Sequence, residues 1–96
     1  MLIDRLYWKD HIVEKIIRCH GVMPEEVEEV IYDGNPLVRR SGQNRYLIYG
    51  QSFSGRYLFV VVEEESKGEF VPVTARDMSN SEKRGYKKRR KQKQSE

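Results

Sequence analysis

The sequence is poor in the residues that disulfides and metal sites need. Its 96 residues include one cysteine, Cys19, and two histidines, His11 and His20. A single cysteine cannot form an internal disulfide and is typical of a reducing compartment. No CxxC or HxxxH spacing occurs, and the run Glu63–Glu65 would alternate between the two faces of a strand. We therefore expect no metal and no cofactor.

Long hydrophobic segments are also missing. No apolar run approaches the length of a bilayer-spanning helix, and residues 1–5 lack the apolar core of a signal peptide. We expect a cytoplasmic protein without a membrane partner. The length allows one hydrophobic core, so we predict a single domain over residues 1–91 and a polar, disordered tail over residues 92–96.

Charge is distributed unevenly along the chain. Residues 1–82 contain ten Lys or Arg and fourteen Asp or Glu, a net −4, whereas residues 83–96 contain eight Lys or Arg and one Glu, a net +7. Such asymmetry is typical of an end that binds nucleic acid or an acidic partner, although a solvated basic terminus fits equally well. The candidate RNA-binding residues are Lys87, Lys88, Arg89 and Arg90.

The stretch from residue 45 to residue 65 is the strongest structural signal. Two runs rich in β-branched and aromatic residues flank Ser52–Gly55, a pattern that predicts a β-hairpin. Tyr57–Val62 is apolar throughout, which predicts a central strand buried on both faces. The two faces would carry Leu58 with Val60 and Phe59 with Val61.

Helical patterns lie on either side of this hairpin. Apolar residues recur at helical spacing from Trp8 to His20 before Gly21, and Pro24 suits the first turn of a second helix that stops at residues 33–36. Ser79 and Glu82 form a capping-box pattern that predicts a third helix, Ser79 to about Lys91.

Three shorter segments complete the expected fold. Residues 36–40 fit a short strand, while residues 2–7 fit either an edge strand or an irregular lead-in. Phe70–Ala75 is a further β run in which Pro72 cannot donate to a ladder, so we expect it at an edge, at a bulge, or where its missing N–H faces solvent. The predicted fold class is α+β, with two N-terminal helices packed on an antiparallel meander sheet and followed by a C-terminal helix.

The two N-terminal helices, residues 11–31, also fit a DNA-reading helix-turn-helix. Charge argues against this function, because phosphate contacts need Lys or Arg and the exposed face of the second helix is acidic. Its glutamates are Glu25, Glu26, Glu28 and Glu29. We favour a helical hairpin packed on the sheet.

Three arginines stand at predicted strand ends or turns: Arg45, Arg56 and Arg76. Such positions allow side chains to converge on one surface. Guanidinium groups bind phosphate through paired hydrogen bonds and stay charged at any relevant pH. A phosphate site and an ordinary charged sheet edge both fit this spacing.

A set of short motifs occurs in a distinctive order. They are Trp8, then His20-Gly21-Val22, then Tyr49-Gly50-Gln51-Ser52, then Gly55-Arg56-Tyr57-Leu58-Phe59-Val60-Val61, then Thr74-Ala75-Arg76, and finally Glu82 with Tyr86. In order and spacing the chain resembles the BrnT family of bacterial toxins over roughly Trp8 to Tyr86. It departs from the family pattern at Cys19, where lysine is usual, at Ile16, where asparagine is common, and at Gln51, where arginine is frequent.

The resemblance implies a RelE-like fold and a sequence-relaxed endoribonuclease that blocks translation. It also implies an antitoxin of the BrnA type, a DNA-binding protein encoded by an adjacent gene that represses the operon. In metal-independent RNA cleavage the 2′-hydroxyl attacks its own phosphate, which needs a proton acceptor, a proton donor and nearby cations.

The candidate catalytic residues follow from these needs. Arg45, Arg56 and Arg76 would stabilise developing charge, and His20 would be the acid or base. Glu82 and Tyr86 would orient the site. A structural role stays open for His20 at a helix end and for Glu82 and Tyr86 in the packing of the third helix. The alternative function is a non-catalytic RNA-binding module or degenerate toxin scaffold.

Overall fold

A five-stranded sheet forms the centre of the molecule. The computed structural model describes residues 3–94, with side chains described for residues 3–90. The strands are β1 (Arg5–Leu6), β2 (Leu37–Arg40), β3 (Arg45–Gln51), β4 (Tyr57–Ser66) and β5 (Glu69–Asp77), in the spatial order β1-β5-β4-β3-β2.

The sheet is mixed rather than purely antiparallel. Strands β2 to β5 form the predicted antiparallel meander, but β1 pairs in parallel with β5, through the register Arg5 to Glu69 and Leu6 to Phe70. The expectation of a wholly antiparallel sheet is therefore wrong at its edge. A two-residue strand carries no periodicity, so the sequence could not give its direction. The result is an α+β fold with β4 in the middle.

The helices follow the predicted order. They are α1 (Asp10–His20), α2 (Pro24–Glu28) continued by a π-helical turn (Glu29–Asp33), and α3 (Asn80–Gln94). Helix α1 ends at Gly21, whose φ of 63° is the left-handed conformation that glycine adopts without strain. Helix α3 passes its predicted end, Lys91, and takes in residues 92–94 of the predicted tail; residues 95–96 lie outside the described residues.

The start of α3 has the capping geometry that its sequence predicts. The backbone N–H of Glu82 donates to Ser79 Oγ at 3.2 Å, and the backbone N–H of Ser79 donates to Glu82 Oε1 at 2.7 Å. These reciprocal bonds satisfy two backbone donors at the helix end. They also fix the Glu82 carboxylate close to the end of β5.

The hydrophobic core lies between the sheet and the first two helices. Its buried members are Ile12, Ile16, Val22, Val27 and Val30 from the helical layer, and Ile48, Leu58, Val60, Val62, Phe70 and Ala75 from the sheet. Burial of Val27 and Val30 against the sheet supports the helical hairpin over a DNA-reading helix. At Gly50 an added Cβ would lie 2.6 Å from Val30 Cγ1, so glycine allows this close approach.

The second face of the sheet is less well covered. On β4, Leu58 and Val60 are fully buried and Val61 is 7% exposed, as predicted, but Phe59 is only half-buried. The prediction of a buried side chain is therefore wrong for Phe59, whose described ring contacts come from one aromatic and one charged side chain. The Tyr49 ring lies 5.0 Å from its ring and the Arg76 guanidinium 4.4 Å from it.

Pro72 lies at an irregularity of the β4–β5 ladder, as predicted. Val61 pairs with Thr74 but Val62 pairs with Pro72, so one extra residue, Val73, forms a bulge. Among the described residues, none of the helices is both long enough and apolar enough to cross a membrane.

Candidate functional site

Several candidate residues meet at one end of the sheet. Here β3 ends, β4 begins, β5 ends, α1 ends and α3 begins. The hydrogen bonds that join these elements involve His20, Arg56, Arg76, Asp77 and Glu82. We call this region the arginine end of the sheet.

Arg56 is the most highly connected side chain of this region. Its Nε and Nη2 donate to the two carboxylate oxygens of Asp77 at 2.6 and 3.1 Å. Nη2 also donates to the carbonyl of His20 at 2.9 Å, and Nη1 donates to the carbonyl of Gly21 at 2.7 Å and to Glu26 Oε1 at 3.2 Å. All five N–H groups of the guanidinium are therefore engaged.

This network gives Arg56 a structural task. The last carbonyl groups of a helix lack hydrogen-bond partners within the helix. Arg56, which lies in the β3–β4 turn, donates hydrogen bonds to the carbonyl groups at the end of α1. The hydrogen bond to Asp77 raises the pKa of Arg56 and, reciprocally, lowers the pKa of Asp77. Its predicted catalytic role stays a prediction, but the geometry favours a positioning role, because a bound phosphate would have to displace one of these partners.

Arg76 occupies a more open position. Its Nη1 donates to Glu82 Oε1 at 2.8 Å and to the carbonyl of Asp77 at 3.0 Å, and its Nη2 donates to Glu82 Oε2 at 3.1 Å. Three of its five N–H hydrogens are thus engaged by described residues, and its side chain is 37% exposed. Paired bonding to Glu82 raises the pKa of Arg76, so the guanidinium is a fixed and permanent cation.

Glu82 links the capping box of α3 to this cation. The hydrogen bond from Arg76 lowers the pKa of Glu82 most, and the bonds from Ser79 lower it further. The carboxylate is therefore ionised at neutral pH and serves as the anchor of Arg76. This geometry supports an orienting role and a packing role at once.

His20 and Tyr86 belong to two of the helices that reach this region, α1 and α3. The half-buried His20 lies at the C-terminus of α1. The pKa of Asp77 is lowered chiefly by its hydrogen bond from Arg56, and the electrostatic effect of His20 is the smallest contribution. Tyr86 is 5% exposed, packs edge-on to Tyr57 with 5.9 Å between ring centroids, and has a pKa raised by burial. The structure thus brings His20 to the arginine end and places Tyr86 on the buried side of α3, against Tyr57.

Arg45 lies at the opposite end of the sheet. It begins β3, whereas Gln51, which ends β3, lies beside Tyr57. Six strand steps of about 3.3 Å separate the two ends by roughly 20 Å. Arg45 pairs with Glu63 there, with Nη2 and Oε2 2.5 Å apart. The expected convergence of three arginines is therefore wrong for Arg45, because strand length separates the start of one arm from the hairpin turn.

The basic residues of α3 differ in their surroundings. Lys87 lies over the Tyr57 ring, with its Nζ 5.1 Å from the ring centroid, and Lys88 is exposed. Arg90 donates from Nη1 to the carbonyl of Asn35 at 2.6 Å, which ties α3 to the loop before β2. Arg89 faces a cleft. These four residues are therefore not one uniform charged patch.

The cleft lies between α3 and strands β2 and β3, with a volume of about 220 Å³. Its lining residues are Leu37, Arg39, Tyr49, Ser81, Glu82, Gly85, Tyr86 and Arg89. Because Glu82 is shared, the cleft continues directly from the Arg76 ion pair. In residues 3–90, no three His, Cys, Asp or Glu side chains are grouped closely enough to hold a metal ion.

Sequence reasoning missed three participants. Asp77, which binds Arg56, directly follows Arg76 at a strand end, and that position could have pointed to it. The sequence pattern predicts Glu26 on the exposed face of α2, but it is half-buried and contacts Arg56 at 3.2 Å. Arg39 of the cleft gave no signal, because only the fold brings β2 under α3.

The fold belongs to the α+β class: a central meander sheet has α1 and α2 on one face and α3 on the other. Structural comparison finds the crystal structure of the ribonuclease toxin BrnT of Brucella abortus, with a TM-score of 0.65. The two chains are 14% identical, and the match covers 79% of this chain and 97% of the Brucella chain. The chain is similar to BrnT in fold, so the resemblance is confirmed at that level. No family profile and no curated protein sequence matches it.

Proposed function

We propose that the protein is the toxin component of a type II toxin–antitoxin system and acts as a metal-independent endoribonuclease that inhibits translation. The observation that carries this proposal is Arg76. On a fold shared with a ribonuclease toxin, it is a cation fixed by Glu82, partly exposed, and next to an arginine-lined cleft.

The chemistry assigns a different task to each residue. The RNA 2′-hydroxyl attacks the adjacent phosphorus, the bond to the 5′-oxygen breaks, and a 2′,3′-cyclic phosphate and a 5′-hydroxyl result. Arg76 stabilises the charge that develops on the phosphoryl oxygens, and His20 accepts or donates the proton. Arg56 positions His20 by holding the carbonyl of His20 at 2.9 Å. Arg45 lies too far from this centre to take part.

The partners of this function are RNA and an antitoxin. The basic residues of α3 would attract the RNA backbone in a salt-dependent manner. A cognate antitoxin, BrnA-like and DNA-binding, would come from an adjacent gene and cover the arginine end. The proposed location is the cytoplasm, where the RNA substrate is found.

The proposal is tested by incubating the purified protein with single-stranded RNA and with DNA of the same sequence, each in strong chelator. We expect RNA to be cleaved and DNA to survive, because DNA lacks the 2′-hydroxyl. The new ends should be 2′,3′-cyclic phosphates. Loss of cleavage in chelator would contradict metal independence, and cleavage of DNA would contradict 2′-hydroxyl attack.

One observation favours the alternative, a non-catalytic RNA-binding module. Both arginines of the arginine end are already paired with carboxylates, Arg56 with Asp77 and Arg76 with Glu82. Such pairing reduces the positive charge offered to a phosphate. Under this alternative the protein would bind RNA through α3 and leave it intact in the same assay.

A further inference from the structure

Gly85 is an unexpected residue in the middle of α3. Apart from proline, glycine is the residue that least favours a helix interior. Nothing in the described structure requires it: its φ is not positive, and a Cβ built there would meet no atom within 4 Å. The glycine therefore serves neither a turn nor close packing within this chain.

What Gly85 does is leave space. It lines the cleft of about 220 Å³, between Ser81 and Glu82 on one helical turn and Arg89 on the next. Opposite it lie Leu37 and Arg39 of β2, which point to the same side of the strand, and Tyr49 of β3. Any longer side chain at position 85 would project into this space.

The lining has the chemistry of a nucleotide site. Arg39 and Arg89 supply two cations at the two sides of the cleft, and Tyr49 supplies aromatic surface. Single-stranded RNA is bound in this way, with bases against aromatic rings and phosphates beside cations. The volume is below the range of drug-sized sites and suits one base.

We propose that this cleft binds one nucleotide of single-stranded RNA next to the phosphate held by Arg76, and that Gly85 is the residue that keeps it open. The base lies between α3 and the β2–β3 surface, and Arg39 and Arg89 bind the flanking phosphates. The inference rests on the proposed function, since it names a subsite of the same site.

The test fills the cleft in two steps. Gly85→Ala and Gly85→Leu improve helix propensity to a similar degree. The main difference between the two variants is therefore the side-chain volume that each places in the cleft. Affinity is measured for an RNA oligomer that carries 2′-fluorine at every position and cannot be cleaved. We expect Ala to stay within about threefold of wild type and Leu to lose roughly tenfold or more, the scale of one lost base stack.

A second pair of variants tests the cations. Arg39→Gln and Arg40→Gln make the same charge change at adjacent positions of β2. Arg39 lines the cleft, whereas Arg40 lies over the Tyr46 ring and donates from Nε to the carbonyl of Gly42 at 3.0 Å. At one salt concentration we expect Arg39→Gln to weaken binding severalfold more than Arg40→Gln.

The outcomes separate the inference from the proposed function. If wild type binds the oligomer but cleaves no natural RNA, the proposed catalytic function is wrong. The variants then still test whether the cleft binds a nucleotide. If Gly85→Leu binds as tightly as wild type while its thermal unfolding shows a folded protein, the nucleotide subsite is wrong even if RNA is cleaved. Equal effects of the two arginine variants, or no RNA binding by wild type, would also overturn it.

Discussion

The guanidinium of Arg56 binds three segments, each of which is distant from Arg56 in the sequence. It binds the carbonyls that end α1, the carboxylate of Glu26 at the start of α2, and Asp77 at the end of β5. A charged donor that satisfies backbone carbonyls is expensive to remove, because its partners lose their hydrogen bonds together. The residue therefore couples the helical layer to the sheet at the place where His20 lies.

We predict that Arg56→Ala lowers the free energy of unfolding by about 2 to 4 kcal/mol, since several charge-assisted hydrogen bonds are lost. Lysine should restore little, because it lacks the planar fork. The measurement is denaturant unfolding. Arg45→Ala is the control, because its exposed pair with Glu63 should contribute no more than about 1 kcal/mol. Equal losses in the two variants would contradict the assigned role of Arg56.

The lowered pKa of Glu82 predicts a pH dependence of stability. A carboxyl whose folded pKa is lowered contributes stability above its ordinary value, 4.5, and loses that contribution as pH falls through the folded value. Gln at position 82 keeps a side chain suited to the capping box but removes the charge. We expect Glu82→Gln to be less stable than wild type at pH 7 and to lose less stability between about pH 5 and pH 3.

Unfolding curves at several pH values measure this difference. The two proteins should approach each other in stability at low pH, because wild-type Glu82 is then protonated. A constant difference in the free energy of unfolding between the two proteins, across the whole pH range, would show that the charge of Glu82 is not the source of its contribution to stability.

Among the elements, α3 combines structure and charge. Tyr86 anchors it, Glu82 caps it, and Arg90 ties it to Asn35, while Lys87 and Lys88 are exposed. The two lysines can therefore be changed without loss of the anchoring contacts. Variants of these two lysines therefore test whether α3 attracts RNA while the contacts that hold the helix stay in place.

We predict that Lys87→Gln with Lys88→Gln weakens RNA binding and flattens its salt dependence. Each phosphate contact contributes about 0.7 to the slope of log affinity against log salt for single strands, so loss of two contacts should lower the slope by about 1.4. The cleavage rate at saturating protein should stay close to wild type. An unchanged slope would mean that RNA does not contact this part of α3.

The sequence predicted the elements with the strongest local signals. Ser79 and Glu82 sit three residues apart and gave the start of α3, and Gly21 gave the end of α1. The π-helical turn after α2 was not predicted, because its apolar spacing matches an ordinary helix over five residues. The cleft was not predicted either, since it depends on where α3 crosses β2.

For the whole molecule, topology explains which predictions succeeded. The uniformly apolar run of β4 indicated a central strand, and β4 does lie between β3 and β5. The site was predicted less well, because strand-end positions in a sequence do not say which end of the sheet they reach. Arg45 and Arg56 are close in the sequence and lie at opposite ends, whereas Arg56 and Arg76 lie at the same end.

Under the proposed function, the arrangement of charge predicts what kind of antitoxin segment would bind. Arg76 and α3 present cations on the half-covered face of the sheet, next to the half-buried Phe59. An antitoxin should place an acidic or apolar segment on this surface. We expect coexpression with the adjacent gene product to give a stable complex in which RNA cleavage is suppressed. A complex that cleaves as fast as the free protein would contradict this placement.

Under the proposed function, the arginine end is a ribonuclease site in which Arg76 stabilises the transition state. Single-turnover cleavage of RNA at saturating protein tests it most directly, with Arg76→Ala and Arg76→Lys compared with wild type. We expect alanine to slow cleavage about 10²–10³-fold while affinity falls far less, and lysine to restore part of the rate. Cleavage by Arg76→Ala at the wild-type rate would contradict it.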